Sequence, residues 1–211
     1  MAKFNEYYAG ARIDETLFAA MVDPVQRERL RKVLVETYFD PTVQAAVAEQ
    51  GAVNLAAYEY AAALTQGVHE TVEPAPGLAT EASRKVRDQG FRKAIVTLYD
   101  HRCALCGIRM LTADGHTIVE AAHIVPWSKS QDDHPTNGLC LCRLCHWSFD
   151  AGLMGVGKKY EVLVSRRTRT NENIPGHVLT LQDRPIFKPD KESFWPAQTN
   201  LATHRQDIFT R

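Results

Sequence analysis

Two cysteine pairs carry the plainest chemistry in this chain. Cys103 and Cys106 form one Cys-x2-Cys turn, and Cys142 and Cys145 form a second. Such a turn sets two thiolates about one tetrahedral edge apart, which is half of a Zn²⁺ site. Two turns make the closed four-sulfur site of structural zinc. The 35 residues between Cys106 and Cys142 exceed ordinary finger spacing, but a hairpin and a loop suffice to bring the halves together. A redox or disulfide pair is the competing reading; two knuckles flanking one small hairpin favour metal.

A second set lies between and beside the knuckles: His123, Asn137 and His146. His123 closes an apolar run over 118–123 that predicts a strand, and Pro126, which lacks the N–H a central strand needs, ends it. The polar, turn-rich stretch 128–138 predicts a loop. Residues 143–151 have helical spacing, with Leu144, Trp147 and Asp150 in the i, i+3 rows and His146 and Asp150 at i, i+4. A strand, a loop and a helix can thus bring His123, Asn137, His146 and Asp150 to one point.

These residues resemble the HNH nucleases, whose catalytic unit is the ββα-metal fold. The likeness is greatest to bacterial restriction endonucleases with an A-A-H-I-x-P-W strand and an N-G-L-x-L-C-x-x-C/H-H-x-x-F-D-x-G helix. Here these patterns read Ala121 to Trp127 and Asn137 to Gly152, with 14 residues from His123 to Asn137 and 9 from Asn137 to His146. The resemblance covers about 91–209, a little over half the chain. It implies an α+β fold: a ββα-metal (HNH) domain with a structural four-cysteine zinc site, preceded by a small all-helical region. It implies a metal-dependent endonuclease of restriction or defence type, hydrolysing phosphodiester bonds in double-stranded DNA.

The resemblance also implies roles. His123 would be the general base, since a neutral imidazole is suited to take a proton from water near pH 7. Asn137 would hold the loop and so orient His123, whose tautomer Asn137 or the strand backbone would fix. His146 and Asp150 would bind the catalytic divalent ion, Mg²⁺ or Mn²⁺ by the hardness of the donors. The sequence departs from the pattern at one point. Many HNH sites place a metal-binding Asp or His directly before the base, and here that residue is Ala122. Glu120, two residues back on the same strand face, is a candidate to supply or orient the missing ligand, and His134 in the loop is a weaker one.

Composition sets wider bounds. The chain has 211 residues, 45% hydrophobic and 24% charged, as a soluble globular protein does. No apolar run reaches the ~20 residues of a membrane helix. The N-terminal stretch lacks the apolar core of a signal peptide, and the cysteine usage fits a reducing compartment, so a cytoplasmic protein is expected. Twenty-five basic residues balance 25 acidic ones, which counts against nonspecific coating of nucleic acid but not against a local basic face. Arg143, Lys158, Lys159, Arg166 and Arg167 are the expected contacts to the DNA backbone; a solvated hairpin is the bland alternative. Two other functions fit the same residues: a zinc-stabilised nucleic-acid-binding module without catalysis, and an HNH nuclease acting in repair or on RNA. A homodimer also stays open.

Residues 1–67 read as helical. Asp14, Asp23-Pro24 and Asp40-Pro41 mark helix starts, and Asn54 marks a further one after Gly51. Leu30, Val33, Leu34 and Tyr38 trace the second helix, with the Arg27 to Lys32 cluster facing outward. Residues 68–83 read as a linker, which leaves 84–211 as the nuclease domain. Within it, a helix over 87–99 leads to the first knuckle, and Ala113-Asp114-Gly115 marks a hairpin turn. Residues 153–156 and 160–165 predict a second hairpin, and 178–181 a further strand. Cys140, Trp127 and Trp147 are expected in the core. His69, His101, His116, His177 and His204 are expected to be surface or packing residues.

Overall fold

The computed structural model describes residues 12–66, 80–113, 115–169 and 176–209. The chain divides into two compact units between Ala52 and Val53.

The first unit is helical, and its helices begin where side chains satisfy free backbone N–H groups. Asp14 caps α1 (Glu15–Val22) by accepting from the amides of Thr16 and Leu17 at 2.9 and 3.1 Å. Asp23 caps α2 (Pro24–Tyr38) through the amide of Gln26 at 2.7 Å. The next helix, α3 (Pro41–Gln66), runs unbroken through Gly51 and Asn54, so the expected second start at Asn54 does not occur. Gly51 gives room to another side chain: a Cβ there would lie 3.0 Å from the Arg31 guanidinium. Alanine-rich flanks carry the ~1 kcal/mol a helical glycine costs. Val33, Leu34 and Tyr38 are exposed and Val35 is buried, because so short a bundle encloses little volume.

The second unit holds the chemistry-bearing residues. The end of α3 packs Val53, Ala57 and Tyr60 on Ala82 and Val86 of α4 (Thr80–Leu98). The crossing is close at Gly90, where a Cβ would meet the Tyr60 ring at 2.7 Å and the Ala57 carbonyl at 2.9 Å. Most of the expected linker lies outside the described residues, and its last residues, 80–83, open α4. His69 lies outside them as well.

Downstream of α4 the first knuckle turns through Gly107, and bridges Arg102 to Arg109 and Leu111 to Thr117 form the expected hairpin. Asp114, at its turn, lies outside the described residues. β1 (Val119–His123) then pairs antiparallel with β2 (Gly138–Cys142), Val119 facing Cys142 and His123 facing Gly138. The intervening loop contains one turn of helix, α5 (Trp127–Ser130), and a 3-10 turn over Pro135–Asn137. α6 (Arg143–Asp150) follows β2 directly. α4 lies across this sheet with Phe91 and Ile95 buried, and Gly138 makes that approach feasible: a Cβ there would sit 2.3 Å from Ile95 Cδ1.

β3 (Met154–Val156) and β4 (Val162–Val164) form the expected second hairpin. Residues 178–181 do not extend it. They belong to a 3-10 helix, Gly176–Leu181, and the β4 edge is taken instead by the following turn. The Val162 amide donates to the Arg184 carbonyl and the Asp183 amide to the Val162 carbonyl, at 2.8 and 2.9 Å. α7 (Gln198–Asp207) closes the unit, with the His204 ring stacked on Phe149 of α6, centroids 3.6 Å apart, and its Nε2 hydrogen-bonded to the Phe149 carbonyl at 3.0 Å. No helix among the described residues is long and apolar enough to cross a membrane.

Candidate active site

The two cysteine knuckles meet. The Sγ atoms of Cys103, Cys106, Cys142 and Cys145 all lie within 4.8 Å of one another. Cys106 and Cys142 stand 3.7 Å apart, against a tetrahedral edge of about 3.8 Å for sulfurs bound to zinc at ~2.3 Å. Local folding explains the convergence. The Cys103 amide donates to the Ile108 carbonyl and the Gly107 amide to the Cys103 carbonyl, both at 2.9 Å, which curls the first pair. The second pair occupies the N-terminal turn of α6, with Cys142 as N-cap. Hydrogen bonds from Cys103, Cys106 and Cys145 pull the Cys142 thiol well below its ordinary range, and one from Cys106 is the largest cause that brings Cys103 down to about 7. Sulfur donors, spacing and burial all fit a zinc ion. Cys140 stands apart on β2, fully buried, its thiol pushed up to about 12 by that burial.

His123, at the end of β1, is fixed from two directions. Phe91 of α4 stacks on its ring, with centroids 3.9 Å apart and planes 6° from parallel. Its Nε2 lies 2.8 Å from Asp133 Oδ1 in the loop. Asp133 is only 7% exposed, and accepts from the Tyr60 hydroxyl at 2.9 Å and from Arg87 Nη1 at 3.2 Å. Burial alone would raise the Asp133 carboxyl. The His123 hydrogen bond, the Arg87 charge and the Tyr60 hydroxyl together outweigh it and hold the group below its ordinary value. Tyr60 is driven up in turn, by burial first and by the Asp133 charge.

Asn137 is fully buried under the loop that carries Asp133. Its side-chain oxygen accepts from the Val125 amide at 2.9 Å, and its Nδ2 donates to the carbonyls of Val125 and Asp132 at 3.1 and 2.9 Å. One neutral amide thereby ties both ends of the loop, and only an amide offers donor and acceptor in this fork. His134 serves the same loop: its Nδ1 caps the 3-10 turn, 2.7 Å from the Thr136 hydroxyl.

His146 projects from α6 between two carboxylates. Its Nδ1 is 2.8 Å from Glu120 Oε1 on β1, and its Nε2 is 3.4 Å from Asp150 Oδ2 one turn along. Arg92 Nη1 stands 3.9 Å from the other oxygen of Glu120. Burial pushes the Asp150 carboxyl up, the His146 charge opposes this, and Glu120 adds to the rise. The expected residues therefore gather in two neighbouring groups rather than at one point. His123 and Asn137 serve the loop, and His146 and Asp150 join Glu120. No hydrogen bond or ion pair among the described residues links the groups.

The basic residues named from sequence, Arg143, Lys158, Lys159, Arg166 and Arg167, are all exposed. They do not form one stripe. The β3–β4 register places Lys158 and Lys159 at the hairpin tip, and Arg166 and Arg167 beyond its other end. Trp147 is 63% exposed on α6, contrary to its expected place in the core, because the helix gives its buried face to Cys145, Ser148 and Phe149. Trp127 is half-buried with the Arg87 guanidinium 3.9 Å over its ring. Sequence reasoning missed Asp133, Tyr60 and Arg87; the short acidic run Asp132-Asp133 was the one available signal.

Residues 103–157 match the model of the HNH endonuclease family. The fold is that of an HNH domain, small sheets and helices beside a four-cysteine cluster, with a helical region before it. No curated protein matches the chain. Among solved structures, the "Modification dependent TagI restriction endonuclease" is similar at 21% identity and a TM-score of 0.41, over 56% of this chain. The chain spans 37% of the length of that solved chain.

Proposed function

We propose that the chain is a metal-dependent endonuclease that hydrolyses phosphodiester bonds in double-stranded DNA, in a restriction or defence setting. The observation that carries this reading is the 2.8 Å bond between His123 and buried Asp133, inside the segment that matches the HNH endonuclease model. An ionised acceptor on Nε2 favours the tautomer with its proton there, which leaves Nδ1 with a lone pair for a water proton. Asn137 keeps the loop closed beneath that contact. On this reading His123 is the general base and Asn137 the residue that holds its frame; the hydrogen bonds of both side chains support it.

His146 and Asp150 are the residues that would hold the divalent ion. Their 3.4 Å N···O separation is of the size that two ligands on one ion at about 2.1 Å have. Glu120 would accept from Nδ1 of His146 and so aim Nε2 at the ion, the usual division between a ligand and its supporting carboxylate. The ion, when bound, supplies Lewis-acid stabilisation of the charge that develops on the phosphate and the leaving 3′ oxygen. Imidazole and carboxylate donors suit Mn²⁺ or Mg²⁺. The four cysteines would hold a structural Zn²⁺, and Arg143, Lys158, Lys159, Arg166 and Arg167 would supply separate contacts to the DNA backbone.

The test is nicking of supercoiled plasmid with and without Mn²⁺, beside His123→Ala. Loss of a general base costs ~10²- to 10⁴-fold, so the folded variant should show no visible cleavage while it still binds DNA. Wild-type activity in folded His123→Ala, or cleavage of RNA alone, would refute the assignment.

A further inference from the structure

We infer that Asp133 is the positioning residue of His123, and that Tyr60 and Arg87, which precede the matched segment, are the residues that hold Asp133 in place. The inference rests on His123 being the general base.

A buried carboxylate must be paired, so a bland account is open: Asp133 could serve only to neutralise Arg87. Three features go further. Arg87 Nη1 lies 3.2 Å from both oxygens of Asp133, yet the shorter contacts, 2.8 and 2.9 Å, go to His123 and Tyr60. The Tyr60 hydroxyl donates to Oδ2 and His123 Nε2 meets Oδ1, so each oxygen has its own short hydrogen-bond partner and the carboxylate cannot rotate without losing one. The imidazole plane is set separately by the Phe91 stack. Stacking fixes the plane of the ring, and Asp133 fixes which edge of it carries the proton.

The partners come from three separate places. Tyr60 lies on α3, Arg87 and Phe91 on α4, and Asp133 in the loop between β1 and β2. The contact of α3 with α4 at Gly90 therefore reaches the base through a single hydroxyl. Asp133 does not reach the water or phosphate in this scheme; it acts through His123.

The test combines ¹⁵N NMR of histidine side chains with single-turnover plasmid cleavage at saturating Mn²⁺, in wild type, Asp133→Asn and Tyr60→Phe; His123→Asn identifies the His123 signals. Wild type should show the tautomer protonated on Nε2. Asp133→Asn can donate as well as accept, so the tautomer preference should be lost. The cleavage rate should then fall by up to ~10⁴-fold with DNA affinity unchanged, the loss seen when the carboxylate behind a catalytic histidine is replaced by its amide. Tyr60→Phe should lower the rate about tenfold by loosening one oxygen, the size of one hydrogen bond to a charged group. If Asp133→Asn does not fold, Tyr60→Phe decides alone, since it removes only a hydroxyl. A wild-type rate with unchanged His123 signals in the folded variants would overturn the positioning role and leave the nuclease reading standing. Absence of cleavage by wild type would sink the nuclease reading, and cleavage by folded His123→Asn the assignment of the base; in either case the tautomer data would still judge the contact between Asp133 and His123.

Discussion

Cys103→Ser should cost the protein much of its stability, and the size of the loss follows from the cluster. Cys103 is fully buried, and its sulfur lies within 4.8 Å of the other three. A serine hydroxyl at that place binds zinc poorly and leaves a buried polar group. Structural zinc sites are worth ~10–16 kcal/mol at pH 7, so an equal share is about 3–4 kcal/mol per thiolate. That is a large fraction of the ~5–15 kcal/mol that ordinarily separates folded from unfolded chains. For a unit of this size each kcal/mol moves the melting temperature by ~2–4 °C, so a drop of roughly 6–16 °C is expected. The assays are elemental analysis of dialysed protein, thermal unfolding by circular dichroism, and thiol titration. Wild type should hold about one zinc per chain, with its four cluster thiols protected until a chelator is added. Zinc-free wild-type protein with reactive thiols, or Cys103→Ser melting within 2 °C of wild type, would refute the reasoning; that margin corresponds to about 1 kcal/mol or less.

Three further outcomes are expected. His146→Ala and Asp150→Ala should lose cleavage at low Mn²⁺ and recover part of it as Mn²⁺ is raised, because a weakened site is refilled by mass action; rescue of His123→Ala by Mn²⁺ would contradict the division of roles. Replacing Lys158 and Lys159 together should weaken DNA binding equally across sequences and reduce the salt slope by about one unit per lost phosphate contact, and an unchanged slope would put the backbone elsewhere. His204 is 1% exposed and burial brings it down to about 4 from 6.5, so its contribution to stability is full above pH 6.5 and is lost as pH falls towards 4. That window should cost about 3 kcal/mol by linkage. Urea titrations across it should show the loss in wild type and little of it in His204→Phe, and equal slopes against pH in the two proteins would count against the assignment.

What could be read from the sequence was what is local. A Cys-x2-Cys turn carries its own geometry, and the run ending at Pro126 and the spacing of Arg143 to Ala151 carry theirs. β1, α6, the β3–β4 hairpin and the sulfur cluster all follow from such short patterns. Asp133 had no comparable signature. Its partners His123, Arg87 and Tyr60 lie 10, 46 and 73 residues away, and only the fold brings them together. Local signals also misled where tertiary context outweighed them. Asn54 is a good cap residue, but here it sits inside a continuous helix. Val178 to Leu181 has strand-like composition, yet the backbone groups it would have used on β4 are already bonded to Asp183 and Arg184.

The same contacts bear on where the working unit begins. A boundary at residue 84 looks natural by composition, since a Pro- and Gly-containing stretch precedes it. A fragment starting there would lack Val53, Ala57 and Tyr60, and would uncover Val86, which is 2% exposed in the intact chain. The cost would not be confined to stability. Asp133 would lose the hydroxyl on Oδ2 and keep Arg87, whose two-way contact lets the carboxylate shift away from His123. The matched segment 103–157 thus contains His123, His146, Asp133 and all four cluster cysteines, but not Tyr60 and Arg87, the residues proposed to hold Asp133 in place. On the proposed roles the end of α3 belongs to the chemistry as much as to the packing: a fragment starting at Val53 should keep the His123–Asp133 contact and one starting at residue 84 should loosen it.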